Sequence, residues 1–463
     1  MVSFFTAIGL LLASYFLYGR VVENIFGPDE RAETPANRLT DGVDYVPMPQ
    51  WKLFLIQFLN IAGIGPIFGA IAGALWGPAA FLWIVFGTIF AGGVHDYFSG
   101  MLSMRHNGLT IPEIVSQYMG KGFRYLLHFF TILLLLLVGV VFVAGPSHLL
   151  TVLMPNSSFS LWLYLIFGYY ILATMLPIDK IIGKLYPVFG GVMLMMALGI
   201  TLGLFAGGYA IPEVSLSNMH PSNLPIWPLL FITIACGAIS GFHSTQSPLM
   251  ARCCTNEKQG RKVFYGAMVA EGMVALIWAA AAMAFFGSTG ALSDFMADHG
   301  EQAGVVNHIS KTLLGTVGGI LAVVGVIISP ISSGDTAFRS ARLSVADLLK
   351  IGQKSLKNRF LIAIPLFVIG LILTRIDFQV IWRYFAWSNQ TLAMLVLWTA
   401  AIYLAQKKKF HWIATIPAAF MTAMTTTYLL VAPEGFRLSH AFGWPAGIIL
   451  SLIALSVFLY KKS

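Results

Sequence analysis

Asn60-Ile61-Ala62-Gly63-Ile64-Gly65-Pro66-Ile67-Phe68-Gly69 falls in the middle of an apolar run over 51–74. Gly237-Ala238-Ile239-Ser240-Gly241-Phe242-His243-Ser244-Thr245-Gln246-Ser247-Pro248 falls in a second run, over 225–251. Each run is long enough to cross a bilayer, which takes about 20 apolar residues. Each is interrupted where a spanning helix should be continuous, by residues that break the helical backbone or remove its N–H. The freed N–H and C=O groups are tolerated at membrane depth only where protein or a water-filled cavity covers them. Two interrupted spans at corresponding places of two halves are the sequence signature of a transport site.

The composition sets the class. Hydrophobic residues make up 57% and charged residues 10% of the 463 positions, with a mean hydropathy of +0.79, against about 25% charged in a soluble domain. The chain reads as an all-α, polytopic membrane protein whose partners are membrane lipid and a small-molecule substrate. The net charge of +9 comes from short loops between apolar runs, with no basic stripe interleaved with aromatics, so nucleic acid is not among the partners. Cys236, Cys253 and Cys254 have neither zinc spacing nor a bridgeable arrangement and read as free thiols. No nucleophile motif, phosphate-binding loop or HExxH appears, so neither an enzyme nor an ATP-driven pump is supported. The oligomeric state is not written in these features.

The hydropathy predicts thirteen spans: 2–18, 51–74, 78–104, 124–152, 160–176, 186–206, 225–251, 262–287, 304–333, 359–375, 378–405, 411–431 and 438–460. The first lacks a basic leader and a small-residue cleavage site, so it reads as a retained span, not a signal peptide. Loops 19–52, 104–124, 177–185, 249–262, 334–359, 406–410 and the tail share one side and carry 24 of the 28 lysines and arginines; Lys311, Arg375, Arg383 and Arg437 lie opposite. The basic side is expected to be cytoplasmic, with the N-terminus outside and the C-terminus inside. Residues 1–50 then form an extra span and a polar loop, and 406–463 two peripheral helices. Between them, 51–206 and 225–405 each begin with an interrupted span and run five spans in opposite orientation. That is a 5+5 inverted repeat with discontinuous first and sixth core helices, the LeuT-like arrangement.

Candidate site residues follow from the breaks. Gly63, Ile64, Gly65 and Pro66 offer free backbone groups, and the half-helix starting near Pro66 aims its positive end at an anion such as a carboxylate. The competing reading is close glycine packing between helices. In the second break Ser240, Gly241, Phe242, His243, Ser244 and Gln246 add side-chain groups, and His243 titrates near neutral pH, although it also reads as a neutral group satisfying its own break. Asn389, in Ser388-Asn389-Gln390, either lines the cavity or braces neighbouring helices. His95-Asp96 and Glu271 are intramembrane acid sites, read as structural partners, Asp96 of Arg105 or Arg124. The eighth core span is expected to end in Ser329-Pro330-Ile331-Ser332-Ser333-Gly334-Asp335, whose hydroxyls and carboxylate suit a small hard cation, with Asp335 as the alternative N-cap of a following segment. In LeuT-like transporters hydroxyls here join carbonyls of the first broken span to hold sodium. That resemblance implies Na+ at Ser332 and Ser333 with carbonyls of 62–65, starting at Ala62. Asp335 and His243 are further coupling candidates, the latter for H+. No other cofactor is implied.

Several segments resemble one family. Asp41-Gly42-Val43-Asp44-Tyr45-Val46-Pro47 matches a DGxDYVP element, Ile61-Ala62-Gly63-Ile64-Gly65-Pro66 matches IAGxGP, and Ile234-Ala235-Cys236-Gly237-Ala238-Ile239-Ser240-Gly241-Phe242-His243 matches IACGAxSGFH. Phe90-Ala91-Gly92-Gly93-Val94-His95-Asp96-Tyr97, Asp335-Thr336 with Arg339, and Ser388-Asn389-Gln390 extend the similarity. In order, from about 41 to 392, these resemble the carbon starvation protein A (CstA) family, in its shorter branch. The resemblance implies a bacterial inner-membrane, ion-coupled transporter of pyruvate or peptides, made under carbon shortage, with proton coupling of pyruvate uptake. Longer members carry a histidine pair where this chain has Ile56 and Gln57, so that pair's role does not transfer. The alternative is a membrane nutrient sensor built on a transporter fold; a channel is disfavoured because no ring-forming filter motif appears.

Overall fold

The structure, a computed structural model, describes residues 1–463 apart from 121, 123, 155, 176–181, 377 and 463. The expected loop over 177–185 lies outside the described residues up to 181, Lys180 included. The described chain is helical: α1 (Val2–Phe16), α2 (Tyr18–Phe26), α3 (Pro35–Arg38), α4 (Gln50–Ile61), α5 (Ile64–Gly73), α6 (Ala79–Phe86), α7 (Gly93–Arg105), α8 (Ile111–Met119), α9 (Arg124–Leu153) and α10 (Phe159–Met175) come first. They are followed by α11 (Ile182–Ala206), α12 (Phe231–Thr233), α13 (Gly241–Ala251), α14 (Gly266–Phe286), α15 (Thr289–Asp298), α16 (Glu301–Leu349), α17 (Leu356–Leu373), α18 (Phe378–Gln406), α19 (Trp412–Val431) and α20 (His440–Lys462). A π-helical stretch, Gly87–Gly92, joins α6 to α7, the kind of distortion that gathers at functional sites.

Among the described residues, ten helices are long and apolar enough to cross a bilayer, and α4 with the stretch from Ile64 to Trp76, bent by 49°, makes an eleventh. Two of the thirteen expected spans fall outside that count. The helix α10 is short, at 17 residues, and the run over 225–251 is divided into a π-helical turn, α12 and α13. Both expected interruptions are therefore present. The backbone leaves the helical region at Ala62 (ψ 47°) and Gly63 (ψ −149°), and again at Ile234 (ψ 70°) and Ser240 (ψ 124°).

One boundary differs strongly from expectation. The helix expected to stop at 333 continues unbroken to Leu349, so Asp335 sits mid-helix and caps nothing. Polarity misled the reading here. Arg339 and Arg342, which look like loop residues, are 1% and 0% exposed, because the fold supplies Asp44 to both, Ala173 O to Arg339 and the Gln353 side-chain oxygen to Arg342.

The acid belongs to the DGxDYVP segment, and its residues explain the motif. Asp41 Oδ1 accepts N–H groups from Val43, Asp44 and Tyr45 at 2.8, 3.0 and 2.9 Å, a side-chain-built turn. Gly42 takes the left-handed conformation (φ 69°) that this turn needs. The turn presents Asp44 to Arg339 Nη1 at 3.4 Å and Arg342 Nη2 at 3.6 Å. Tyr45 lies under the Arg252 guanidinium at 5.1 Å and donates to Asn107 O. Met48 N–H donates to Cys253 O. The segment before the first broken span thus ties the ends of α7, α13 and α16 together on the basic face. At the opposite end, Trp76 Nε1 donates to Leu224 O and Thr289 Oγ1 to Met219 O.

Burial alone would raise the Asp44 pKa, but Arg342, Arg339, Arg252 and Arg359 outweigh it and hold the carboxyl below its usual range. The folded value lies below the unfolded one, so the stabilisation is complete above the ordinary aspartate range and is lost as pH falls through the folded value. Asp44→Asn should therefore destabilise the protein at neutral pH by about 3 kcal/mol, the cost of leaving a buried charge without its partner. The variant's deficit in thermal unfolding, followed by size-exclusion chromatography, should shrink towards acid pH. An unchanged unfolding temperature at neutral pH would refute the tie.

Candidate transport site

A broken helix leaves unpaired carbonyls on one half and unpaired N–H groups on the other, and in a membrane each must find a partner. At the first break, Phe58 O accepts from Ala62 N–H and Ile61 O from Gly63 N–H. Two carbonyls are taken by α16: Leu59 O by Ser333 Oγ at 3.3 Å, and Ala62 O by Ser329 Oγ. Each of two α16 hydroxyls thus meets one carbonyl of the break.

At the second break, Ile234 O accepts from Trp83 Nε1 at 3.0 Å and Gly237 O from Thr88 Oγ1 at 3.1 Å. The start of α13 is capped from another helix. Asn389 Oδ1, on α18, accepts from Phe242 N–H at 2.6 Å and from Ser240 Oγ at 3.1 Å. Ser244 and Thr245 donate back to Gly241 O and Phe242 O, and Gln246 Nε2 to Thr245 Oγ1. Their donors are used locally, while Gln246 Oε1 has no protein partner.

The two breaks touch. A Cβ added to Gly65 would stand 2.5 Å from Cys236 Sγ, well inside contact distance, so only glycine lets the half-helix approach. Gly63, Ile64, Gly65, Pro66, Ser240, Gly241, Phe242, His243, Ser244 and Gln246 are all buried at this junction. Phe142 of α9 meets Phe242 edge-on, with ring centroids 5.6 Å apart. Asn389 braces the start of α13 from α18 through its bonds to Phe242 N–H and Ser240 Oγ.

The structure redistributes the coupling candidates. In a continuing helix, Ser329 and Ser333 are one turn apart and share a face, and that face meets the first break. Ser332 lies on another. Its hydroxyl bonds to Ser329 O, and its carbonyl lies 3.4 Å from Tyr186 Oη. Asp335 follows Ser332, with Oδ2 accepting from Tyr186 Oη at 2.7 Å. Ser333 and Ser329 therefore contact the carbonyls of Leu59 and Ala62, while Ser332 meets Ser329 O and Tyr186, and Asp335 meets Tyr186. The i, i+4 spacing within 329–333 was the available signal.

Nor does Asp96 pair with Arg105 or Arg124, which bind Glu257 and Glu113 instead. Asp96 accepts on both oxygens from histidines, His95 Nδ1 at 2.7 Å and His243 Nδ1 at 2.9 Å. His243 Nε2 then faces Glu271 Oε2 at 3.3 Å. Three groups read separately in the sequence form one cluster. Gln57 and Asn60, one turn apart on α4, were also missed. Both are fully buried, and none of their four side-chain polar atoms has a protein partner. Two amides at i, i+3 in an apolar span were the signal, because unpaired buried polar groups are rare.

Because Asn389 supplies the N-terminal cap of α13, Asn389→Ala should lower stability by about 1–2 kcal/mol. Thermal unfolding in detergent reads this directly; an unaltered midpoint would remove the cap from the account.

Comparison with known proteins fits this geometry. The sequence profile described as carbon starvation protein CstA matches residues 1–161 and 146–313. An uncharacterized membrane protein of Haemophilus influenzae is 43% identical over 347 residues, 64% of this chain and 94% of that one. The peptide transporter CstA of Escherichia coli is 23% identical over 552 residues, covering 90% of this chain and 79% of the relative. The pyruvate/proton symporter BtsT of Escherichia coli is 24% identical over 338 residues, 58% of this chain and 47% of BtsT. In structure, the chain is similar to a manganese transporter of Eremococcus coleocola, with a TM-score of 0.59 at 12% identity over 92% of this chain and 98% of that one. It is also similar to MhsT in complex with L-phenylalanine, with a TM-score of 0.55 at 14% identity over 90% and 99%. At such identities these two speak for the fold alone, which is LeuT-like. A LeuT-like helical fold with two facing helix breaks, in a chain whose relatives include proteins named as transporters, makes this a membrane transporter and not an enzyme. The chain belongs to the carbon starvation protein CstA family.

Proposed function

We propose that this protein is a secondary active transporter of the bacterial inner membrane, with its basic face in the cytoplasm. It imports a small carboxylate-bearing nutrient, pyruvate or short peptides or amino acids, coupled to an ion and linked to carbon shortage. The observation that carries the reading is the junction of the two breaks. Half-helix N-termini at Ile64 and Gly241 bring positive dipole ends to one buried place, favourable for a carboxylate. Unpartnered amide atoms on Gln57, Asn60 and Gln246 add hydrogen-bonding capacity. The names of the Escherichia coli relatives, a peptide transporter and a pyruvate/proton symporter, support the substrate class.

Alternating access follows as rocking of one helix bundle against the other about this junction. The 5+5 repeat over 51–206 and 225–405 belongs to the same proposal. The oxygens of Leu59, Ala62, Ser329 and Ser333 fit a monovalent hard cation better than a divalent one, since no carboxylate joins them. If sodium is a coupling ion, these residues hold it.

Purified protein in liposomes, given pyruvate, a dipeptide or an amino acid under separately imposed proton and sodium gradients, tests the reading. Uptake under one gradient supports it. Binding without flux would favour the sensor instead. Gly65→Leu should abolish uptake, since its side chain must enter the space of Cys236; normal uptake would detach the first break from the site. Ser333→Ala should weaken any sodium dependence, and uptake indifferent to sodium in the unaltered protein discards that ion position.

A further inference from the structure

We infer that Asp96, His243 and Glu271 form a single proton-loading site, and that its proton is a coupling ion of the transport proposed above, on which the coupling half of this inference rests.

The site joins three helices. Asp96 comes from α7, His243 is the third residue of the half-helix α13, and Glu271 comes from α14. All are fully buried, as is His95. Proton positions follow from the contacts. Asp96 faces an imidazole Nδ1 on each oxygen, so both histidines donate there and Asp96 is the ionised acceptor. His243 Nε2 is left facing Glu271 Oε2 at 3.3 Å. Neither atom makes a hydrogen bond, so the geometry calls for one proton, on Nε2 or on Oε2, to keep two bare lone pairs from facing each other. On Nε2 it makes an imidazolium between two carboxylates; on Oε2 it makes a carboxylic acid facing a neutral imidazole. Either way Asp96, His243 and Glu271 together carry one negative charge.

Removing that proton leaves two carboxylates and a neutral imidazole, with lone pairs opposed across the Nε2–Oε2 gap. Adding a second proton makes the three residues neutral. Among the described residues, the ion pairs of Asp96 and Glu271 are with histidines alone. The groups acting on His243 are Glu271, Asp96 and the Cys236 thiol, with His95 beyond Asp96. No lysine or arginine is among them, so protons are what balance the buried charge. Buried Asp, Glu and His chains in membrane spans are the usual substance of proton relays.

The proton's position bears on the transport site. Thr88 and Gly92, on the stretch leading into α7, contact the second break at Gly237 O and Ala238 O, and Asp96 then holds His243. A loaded proton draws α14 onto the half-helix; its loss turns that contact repulsive and leaves His243 held by Asp96 alone of the two carboxylates. The load is thereby read by the element that also lines the junction of the breaks.

Infrared difference spectroscopy of the purified full chain in lipid, stepped in pH, reads the site without any substrate. The unaltered protein should show a carboxylic acid C=O band that titrates, and Glu271→Gln, which keeps size and hydrogen bonding, should lose it. In liposomes, Glu271→Gln should lose accumulation of pyruvate or a dipeptide driven by a pH gradient yet keep counterflow of labelled for unlabelled substrate. A band and a gradient response unchanged in both Glu271→Gln and His243→Gln would overturn the inference. So would counterflow in the unaltered protein that a pH gradient fails to drive. Absence of any counterflow would instead refute the transport reading, while the band still decides the proton site.

Discussion

The fold is organised by the need to satisfy broken backbone where water is scarce. An unpaired N–H or C=O in hydrocarbon costs several kcal/mol, and each break exposes several. The chain meets the need with side chains from helices distant in sequence. Ser329 and Ser333 come from α16, Trp83 and Thr88 from the span that becomes α7, and Asn389 from α18. Every helix that supplies such a group is fixed relative to a break. The scaffold is therefore defined by what the breaks require as much as by apolar packing.

The same economy explains the composition of the junction. Polar groups are few and small, and serine and threonine hydroxyls largely bond to their own helix. Glycine then allows backbone to approach side chain closely, as at Gly65 against Cys236. Dispersion between close-packed surfaces, not apolar burial, holds helices together in lipid. On the basic face the means change. Asp41 builds a turn, and Asp44 neutralises part of an arginine cluster on α16. The segment entering α4 is thus bound to the helix whose hydroxyls hold the first break.

Much of this was legible in the residues. The breaks were readable because glycine and proline interrupt long apolar runs. The polar groups of the second break were readable for the same reason that they are costly. The continuation of α16 was not readable, because burying Arg339 and Arg342 depends on Asp44, nearly 300 positions earlier. With the helix end misplaced, Ser332 and Asp335 looked equivalent to Ser333, and Ser329 did not stand out.

Local chemistry, then, was determined by the sequence alone: which segments are apolar enough to enter a membrane, where their helices cannot continue, and which few polar side chains they carry. These follow from residue type and spacing within one segment. The tertiary structure decided the pairings: Ser329 with Ala62, Asn389 with the start of α13, Asp44 with two arginines, and Asp96 and Glu271 on either side of His243. The physical reason is that a buried polar group's role is set by its partner. Here each partner lies on another helix, placed by packing that no single segment encodes.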